Sequence, residues 1–486
     1  MRTGRAAALV GVLALGGCTA PAPAARPSGS VTVAPAGSGF TAGADTAGDP
    51  LYPTMGDGGY DVARYVLTIT YDAKSGVIDA DDVVTATATQ SLSSFTLDLV
   101  GLTVRSVTVG GKPAAFHLAN GKLAVTPAAG IVGGATFVAD IHYGGRPVMY
   151  SDDPDAPEGW MERTGGVIVQ GEPQSAASWY PVDDTPRDKA VYDITVTTQT
   201  GLSVLSNGGL LGRVVNGATT TWHWAESAPM ASYLVMLMIG DYRVATSTHD
   251  GRIVVLAVDS SLPTYVDADL AKTPQVLDFL VTQFGPYPFE AIGGVVHRDS
   301  GIPFALENQT RPVYAPQFFT AQPDADHTGV LAHELAHQWY GDDVSVASWS
   351  DIWLNEGFAT YAEWLWSQHQ GQRTAKQWFD RYYLQIQMQG GFTDPVAAPP
   401  TIAAAFGFAS YTGGAMVLEA LRIAVGDTTF FKILRGWPVA HEFGNATTAD
   451  FIAYADQVSG RSLDSFLHPW LYGTGVPPPP APLGRP

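Results

Sequence analysis

The feature that most constrains the fold of this 486-residue chain is a pair of histidines four positions apart, His333 and His337, in the segment TGVLAHELAHQWYG. On an α-helix this spacing puts both imidazoles on one face, about one turn apart, where they suit two corners of a zinc tetrahedron. The adjacent Glu334 would project beside the open coordination position, where a carboxylate can take a proton from a water molecule. The spacing therefore predicts a metal-binding helix with a general base beside the metal.

A two-histidine site needs a third ligand, and the segment SDIWLNEGFATYAEWLW offers one. Glu356 lies near the start of this amphipathic segment, and a carboxylate on a second helix packed against the first would complete the site. Read alone, Glu356 would be a helix-start carboxylate favoured by the helix dipole. Glu363 follows two turns later on the same face, where it can accept a hydrogen bond from the non-ligating nitrogen of a zinc histidine. We therefore expect one Zn²⁺ per chain, held by His333, His337 and Glu356.

The hydrophobic period changes along the chain. In residues 50–245, runs such as VLTITYD and AVYDITVTT alternate apolar and polar residues between turn signals such as SNGG, which predicts an antiparallel β domain of sandwich or saddle type. Residues 246–478 carry apolar residues at three- and four-residue spacing, which predicts a mostly α domain with a small β element at RIVVLAV and GGVV. The predicted fold class is multidomain α+β. Predicted helices run over 270–284, 327–340, 355–370, 411–425 and 448–459.

The two ends of the chain carry different signals. Residues 1–18 combine basic residues with a short apolar stretch and end in LGGC, which is typical of a bacterial lipoprotein signal peptide, with a plain signal peptide and secretion as the alternative. Cys18, the only cysteine, would then carry a lipid and anchor an extracytoplasmic protein to the membrane. Residues 19–49 are rich in Ala, Pro, Gly, Ser and Thr and predict a flexible tether, and residues 479–486 predict a disordered tail.

The charge balance restricts the expected partners. The chain has 46 acidic against 26 basic residues, a formal net charge of −20. Because phosphate binding requires an excess of basic side chains, nucleic acid is not an expected partner. An acidic surface is compatible with cationic ligands such as peptide amino termini, or with solubility alone. No segment after the signal peptide has about 20 uninterrupted apolar residues, so a membrane-spanning helix is not expected. We also expect the protein to be a monomer.

These motifs resemble those of the gluzincin zinc aminopeptidases of the alanyl aminopeptidase and leukotriene hydrolase type. HELAHQWYG and NEGFATYAE place eighteen residues between His337 and Glu356, and DDTPRDKAVYDITV, FGPYPFE and SYTGGAMVLEALR occur in the family's order. The resemblance covers most of the mature chain and implies a saddle-like β domain followed by a thermolysin-like zinc peptidase domain. It also implies an aminopeptidase that removes amino-terminal residues from peptides with a free amino terminus.

The resemblance implies a second catalytic side chain. Tyr411, in SYTGGAM, matches the tyrosine that helps the metal to stabilise the tetrahedral oxyanion. A phenol suits that role because it donates a hydrogen bond without competing for the metal. The sequence departs from the family beside it, since Gly413 stands where the family usually has lysine.

The resemblance also implies a binding site for the substrate's amino terminus. Glu307, in PFALENQTRPVY, matches the glutamate that binds the α-amine, with Asn308 beside it, because a carboxylate in a partly dry cleft favours an ammonium ion. Phe304 stands where the family has glycine. A glycine at this position allows close approach of the substrate backbone, so Phe304 is a departure that affects how a peptide would bind along this edge. In VIVQGEPQ, Glu172 matches the β-domain residue that shares the amine, with Gln170 as a weaker neighbour.

Other functions stay open on the same scaffold. A zinc endopeptidase or an epoxide hydrolase would use the same metal, and an inactive surface peptide-binding protein is a further alternative. The presence of Glu334 and Tyr411 favours an enzyme, because binding alone needs neither a base nor an oxyanion donor. The chain ends soon after HPWLYGTGVP, so we expect it to lack the large C-terminal helical domain of many relatives and to have a more open cleft.

Overall fold

The computed structural model describes residues 39–150, 157–299, 301–319 and 328–484. The predicted signal peptide with Cys18 and residues 19–38 of the predicted tether lie outside the described residues. Within the described residues, strands occupy the first part of the chain and helices the last, as the change of hydrophobic period predicted.

The first part is built around an eight-stranded sheet whose strands alternate buried and exposed side chains. In strand Tyr60–Asp72, Leu67 and Ile69 are buried while Thr68 is exposed. The sheet is antiparallel except for one pair, since Lys189–Gln199 runs parallel to Tyr60–Asp72. Alternation indicates which face a residue occupies but not strand direction, so the sequence did not predict this pair. In spatial order the strands are Gly209–Asn216, Thr219–Ala231, Lys189–Gln199, Tyr60–Asp72, Val77–Ala88, Thr136–Gly145, Thr103–Val109 and Lys112–Pro113.

The described residues also form four smaller sheets. The first has strands Thr41–Ala42, Leu92–Asp98, Lys122–Thr126 and Ala115–Ala119, and the second has Gly159–Arg163, Gly166–Gln170, Leu237–Gly240 and Ser203–Ser206. The third has Tyr242–His249, Arg252–Asp259, Ala291–Val296 and Val313–Tyr314, and the fourth pairs Ser345–Val346 with Asn445–Ala446. The third sheet contains the predicted RIVVLAV and GGVV strands.

Ten α-helices lie within the described residues, all of them after residue 264. Each of the five predicted helices is present, although the one predicted over 327–340 ends at Ala336. None of these ten helices combines the length and the apolar character that a membrane span requires. In chain order they are α1 Tyr265–Leu270, α2 Thr273–Phe284, α3 Thr328–Ala336, α4 Trp353–His369, α5 Ala375–Gln389, α6 Ile402–Ala405, α7 Gly414–Val425, α8 Asp427–Ala440, α9 Thr448–Ser459 and α10 Asp464–Leu471.

The end of the predicted tether is part of the folded protein. Thr41–Ala42 pairs with Leu92–Asp98, and the buried Asp49 accepts a hydrogen bond from the backbone N–H of Trp349 at 2.8 Å. The prediction of a tether over 19–49 is therefore wrong for residues 39–49. Composition missed this segment because Phe40 is its only large apolar side chain, and backbone groups and the Asp49 carboxylate make many of its contacts.

Two other predicted boundaries also differ. The β-domain limit at 245 falls inside strand Tyr242–His249, which pairs with Arg252–Asp259 and so belongs to the sheet beside the helices. At the other end, the backbone N–H of Leu483 donates to the carbonyl of Ala424 at 2.9 Å, so part of the predicted tail 479–486 contacts α7.

The β part holds the backbone that follows α3. The Lys189 ammonium donates to the carbonyls of Asp342 and Asp343 at 2.7 and 2.8 Å, and the Tyr233 hydroxyl donates to the carbonyl of Gly341 at 3.2 Å. The Asn355 side chain on α4 donates to the same Tyr233 hydroxyl at 3.3 Å. These contacts fix the segment that follows α3 relative to the start of α4. The predicted metal ligands lie close to these two places in the chain.

Candidate functional site

The three predicted metal ligands meet at one point. His333 lies on α3, His337 directly follows α3, and Glu356 lies in the first turn of α4. The Glu356 Oε2 atom is 3.2 Å from His333 Nε2 and 3.6 Å from His337 Nε2. Bonds of about 2.0–2.1 Å to a tetrahedral zinc ion place neighbouring ligand atoms about 3.3–3.4 Å apart. The two measured distances lie on either side of that value, so the donor set fits one zinc ion.

Each imidazole is oriented by its other nitrogen. His333 Nδ1 donates to Glu363 Oε1 at 2.7 Å, and His337 Nδ1 donates to the carbonyl of Tyr340 at 3.0 Å. Because a carbonyl only accepts, His337 carries a proton on Nδ1, and Nε2 is the nitrogen that faces Glu356. Glu363 therefore has the place that the sequence predicted for it. In both histidines Nε2 faces Glu356 while Nδ1 is hydrogen-bonded elsewhere, an arrangement typical of zinc-binding histidines.

The ligands line one cavity together with the predicted base. The cavity has a volume of about 490 Å³, and Glu334 lies in its wall next to both histidines. Burial raises the pKa of Glu334 to about 8, against the opposing effect of His333 and His337. A carboxyl group that titrates near neutrality can both accept and return a proton. The cavity is lined by Glu172, Pro303, Phe304, Ala305, Glu307, Phe318, Gly329, Val330, His333, Glu334, His337, Glu356, Glu363 and Tyr411.

The cavity concentrates negative charge around the imidazoles. Burial alone lowers the pKa of His337, but the carboxylates of Glu307 and Glu356 outweigh burial and raise this pKa to about 9. Conversely, burial alone raises the pKa of Glu356, but His337 and His333 outweigh it and lower this pKa to about 2. A buried site with this potential favours a divalent cation, since opposite charges attract strongly where water is excluded.

Tyr411 reaches the cavity from a π-helical turn, Ala409–Gly413, that precedes α7. Its ring lies nearly parallel to that of His333, with the ring centroids 6.1 Å apart. Burial, reinforced by the charge of Glu356, raises the pKa of the Tyr411 phenol well above its usual range, so the hydroxyl keeps its proton and can donate it in a hydrogen bond. Beside Tyr411, a Cβ on Gly413 would lie 3.1 Å from Phe392. The Phe392 ring therefore occupies space that a larger side chain at position 413 would need.

Two further carboxylates lie at one end of the cavity. The Glu307 Oε1 atom is 3.9 Å from His337 Nδ1, and Glu172 lines the same cavity from the β part. Glu307 Oε1 and Glu172 Oε1 are both buried and have no hydrogen-bond partner among the described residues. Burial and the charge of Glu307 raise the pKa of Glu172 well above its usual range. Unpaired carboxylate oxygens in a dry cavity favour a cationic ligand group.

The other two predicted substrate-binding residues are not part of the cavity wall. Asn308 is fully buried, and its amide donates to the carbonyl of Leu234 at 3.0 Å, so it fixes the Glu307 loop to the β part. Gln170 is also fully buried and lies outside the cavity lining. Although Asn308 is next to Glu307 and Gln170 is close to Glu172 in the sequence, neither of them lines the cavity.

Sequence reasoning missed Gln338, which directly follows His337. Its amide donates to the carbonyl of Glu307 at 2.9 Å and to Asp342 Oδ2 at 2.7 Å, and its oxygen accepts from the backbone N–H of Thr310 at 2.8 Å. The side chain thus joins the Glu307 loop to the end of α3. No periodic signal distinguishes such a glutamine, because its partners are distant backbone groups.

Comparisons with known proteins agree with this geometry. The Peptidase M1 N-terminal domain model matches residues 61–234, and the Peptidase family M1 domain model matches residues 268–470. Aminopeptidase M1 of Arabidopsis thaliana is 30% identical over 65% of this chain, and aminopeptidase N of Streptomyces lividans is 29% identical over 64%. The matched region is 38% of the length of each of these two relatives. A crystal structure of an M1 zinc metallopeptidase from Deinococcus radiodurans, 27% identical, superimposes with a TM-score of 0.81 over 90% of this chain and 99% of its own.

Replacement of Glu363 tests the metal centre directly. We expect Glu363→Ala to weaken zinc binding by about 10- to 100-fold, because His333 loses the partner that orients it. Competition with a chromophoric zinc chelator measures this affinity. The matched control is Glu442→Ala, a surface carboxylate away from the cavity, which should bind zinc like the unaltered protein. Equal affinity in the Glu363 and Glu442 variants would contradict the assigned role.

Proposed function

The chain belongs to peptidase family M1, and from this premise we propose that it is a zinc-dependent aminopeptidase. The observation that carries the proposal is the position of Glu307, whose Oε1 lies 3.9 Å from Nδ1 of the metal ligand His337. In a peptide the α-nitrogen is about 2.5 Å from the carbonyl carbon of its own residue, and successive Cα atoms are about 3.8 Å apart. An ammonium held at Glu307 therefore favours the first peptide bond over later ones at the centre.

The structural relatives support a peptide with a free amino terminus as the substrate. Structures of mutant M1 zinc metallopeptidases that superimpose on this chain with TM-scores of 0.80–0.81 are bound to L-arginine, to L-tryptophan and to a Tyr-Ser-Ala substrate. Each of these ligands has an α-amine. The paired carboxylates Glu172 and Glu307 of this chain offer the charge that an α-ammonium requires.

The residues divide the reaction between them. His333, His337 and Glu356 would hold a zinc ion, which would act as a Lewis acid towards the carbonyl and make a water molecule more acidic. A Glu334 carboxylate oxygen accepts the proton of the attacking water and returns it to the leaving nitrogen. The Tyr411 hydroxyl donates a hydrogen bond to the developing oxyanion.

The amino end of the substrate is held by two carboxylates that line the same cavity. Glu307 and Glu172 bind the ammonium and keep the first carbonyl in place during the attack. Because both carboxylate oxygens are buried without a partner, a substrate that brings a positive charge satisfies them, and an acetylated amino terminus leaves them unpaired.

The assigned base is tested by Glu334→Gln. We expect this variant to bind zinc normally and to lose at least about 10³-fold in kcat, because the amide keeps the shape of the side chain but cannot accept the proton. Zinc content by atomic absorption and turnover of aminoacyl-coumarin substrates give the two readings. Glu442→Gln, on the exposed surface, serves as the control. Substantial turnover by the zinc-loaded Glu334 variant would exclude this residue as the base.

The aminopeptidase assignment is tested by Glu307→Ala. We expect kcat/KM for peptides with a free amino terminus to fall by about 10- to 150-fold, since a hydrogen bond to a charged group contributes about 1.5–3 kcal/mol. Hydrolysis of amino-acetylated peptides should change little, so the preference for free over acetylated substrates should shrink. Zinc content is the control for an intact centre. An unchanged preference would remove the case for amine recognition and favour an endopeptidase.

We further propose that the protein is exported and anchored to a membrane through a lipid on Cys18. The support is the amino-terminal pattern, in which basic residues, a short apolar stretch and LGGC precede the rest of the chain. In a bacterial host, the protein should fractionate with membranes and incorporate labelled palmitate, whereas Cys18→Ser should lose the label. Ser28→Ala is the control and should behave like the unaltered chain. Absence of label in the unaltered protein would contradict lipid attachment.

A further inference from the structure

Helices α4 and α7 cross at two glycines, Gly357 and Gly414. A Cβ on Gly414 would lie 2.7 Å from the Cα of Gly357, and a Cβ on Gly357 would lie 2.8 Å from the Cα of Gly414. Real Cβ atoms essentially never come this close to backbone atoms. The distance between the two helix backbones at this point therefore depends on the absence of a side chain at both positions.

The crossing lies directly beside two residues of the active site. Gly357 follows Glu356 in the chain, and Gly414 follows the π-helical turn Ala409–Gly413 that carries Tyr411. The carbonyl oxygen of Ser410, in that turn, would be 3.3 Å from a Cβ on Gly357. A change in the separation of the helices is thus passed to the turn that carries the phenol.

The π-helical turn makes the direction of Tyr411 sensitive to this contact. The backbone N–H of Gly413 donates to the carbonyl of Phe408 at 3.0 Å, five residues earlier, where a regular α-helix would use the fourth residue. The extra residue rotates the start of the turn relative to α7, so Tyr411 projects towards His333 rather than along the regular helix surface. A turn of this kind is held in place by its packing, and Gly357 is one of the residues that this turn packs against.

We propose that the contact between Gly357 and Gly414 determines how far the Tyr411 hydroxyl extends into the cavity. Gly414 is then a positioning residue for the oxyanion donor. The inference rests on the proposed function, in which Tyr411 donates to the oxyanion. Gly414 itself does not line the cavity, so it acts only through Tyr411.

A double-mutant cycle between positions 411 and 414 tests the proposal. Removal of one oxyanion donor costs about 10²- to 10³-fold in kcat, so Tyr411→Phe should lose that much. We expect Gly414→Ala to lower kcat by about 10- to 100-fold with less than about a threefold change in KM. In the Tyr411→Phe background the same Gly414→Ala change should cost less than about threefold, because no hydroxyl remains to be misplaced. Losses that multiply in the double variant would overturn the proposal.

Controls separate positioning from a general loss of structure. Gly212→Ala, in a strand where a Cβ would meet no atom within 4 Å, should keep the kcat of the unaltered protein. If Gly414→Ala does not fold, Gly413→Ala takes its place, since the three atoms nearest to a Cβ there belong to the side chains of Val396 and Phe392 and not to the backbone. Its smaller loss in kcat should also disappear in the Tyr411→Phe background, and a loss that persists there would again overturn the proposal.

A crystal structure of the Gly414→Ala protein gives a reading that does not depend on turnover. We expect positions 357 and 414 to move apart and the Tyr411 phenol to shift relative to Glu356. An unmoved phenol would overturn the positioning role even if activity changed. Absence of peptidase activity in the zinc-loaded, unaltered protein would instead refute the proposed function, while the displacement of the phenol would still be measurable.

Discussion

The rest of the structure depends on the meeting of two imidazoles and one carboxylate at a buried point between α3 and α4. Burying Glu356 and His337 almost completely is unfavourable unless each charge has a partner, because desolvation costs several kcal/mol per ion. The structure supplies partners for Glu356 in His333 and His337, at 3.2 and 3.6 Å, and the carbonyl of Tyr340 accepts a hydrogen bond from His337. A cation at the centre would offset the remaining negative charge. The site is thus stable only as a complete set, which explains why so many surrounding contacts serve to fix its parts.

The β part of the chain completes the active site as well as covering it. It contributes Glu172 to the cavity and holds the segment that follows Glu307. Asn207 donates to the carbonyl of Gln309 at 2.8 Å, and Arg311 donates to the carbonyl of Gly208 at 3.0 Å. Gln338 attaches the same segment to the end of α3. The distance from the amine-binding carboxylates to the metal ligands is therefore set by both parts of the chain together.

The sequence predicted the features that follow a local period and missed those that depend on distant contacts. His333, His337, Glu356 and Glu363 could be placed because helical spacing determines which side chains share a face. Tyr411 and Glu307 needed the resemblance to a family, since neither has a periodic signal. The folded segment 39–49 and the role of Gln338 could not be predicted, because their partners lie far away in the chain and are mostly backbone groups.

In the proposed function, the cavity selects the amino terminus of a peptide because two of its buried carboxylate oxygens lack a hydrogen-bond partner. A site discriminates most strongly when the wrong ligand leaves its buried polar groups without partners. Glu307 and Glu172 each present such an oxygen, and burial already raises the pKa of both carboxyl groups, so each gains most from a ligand that carries positive charge. A peptide bound through an internal bond would place a neutral amide there and leave the carboxylates unpaired, at a cost of about 1–3 kcal/mol or more for each charged group. In the proposed aminopeptidase, selectivity for the first residue would therefore arise from the penalty on internal binding as much as from the attraction of the ammonium.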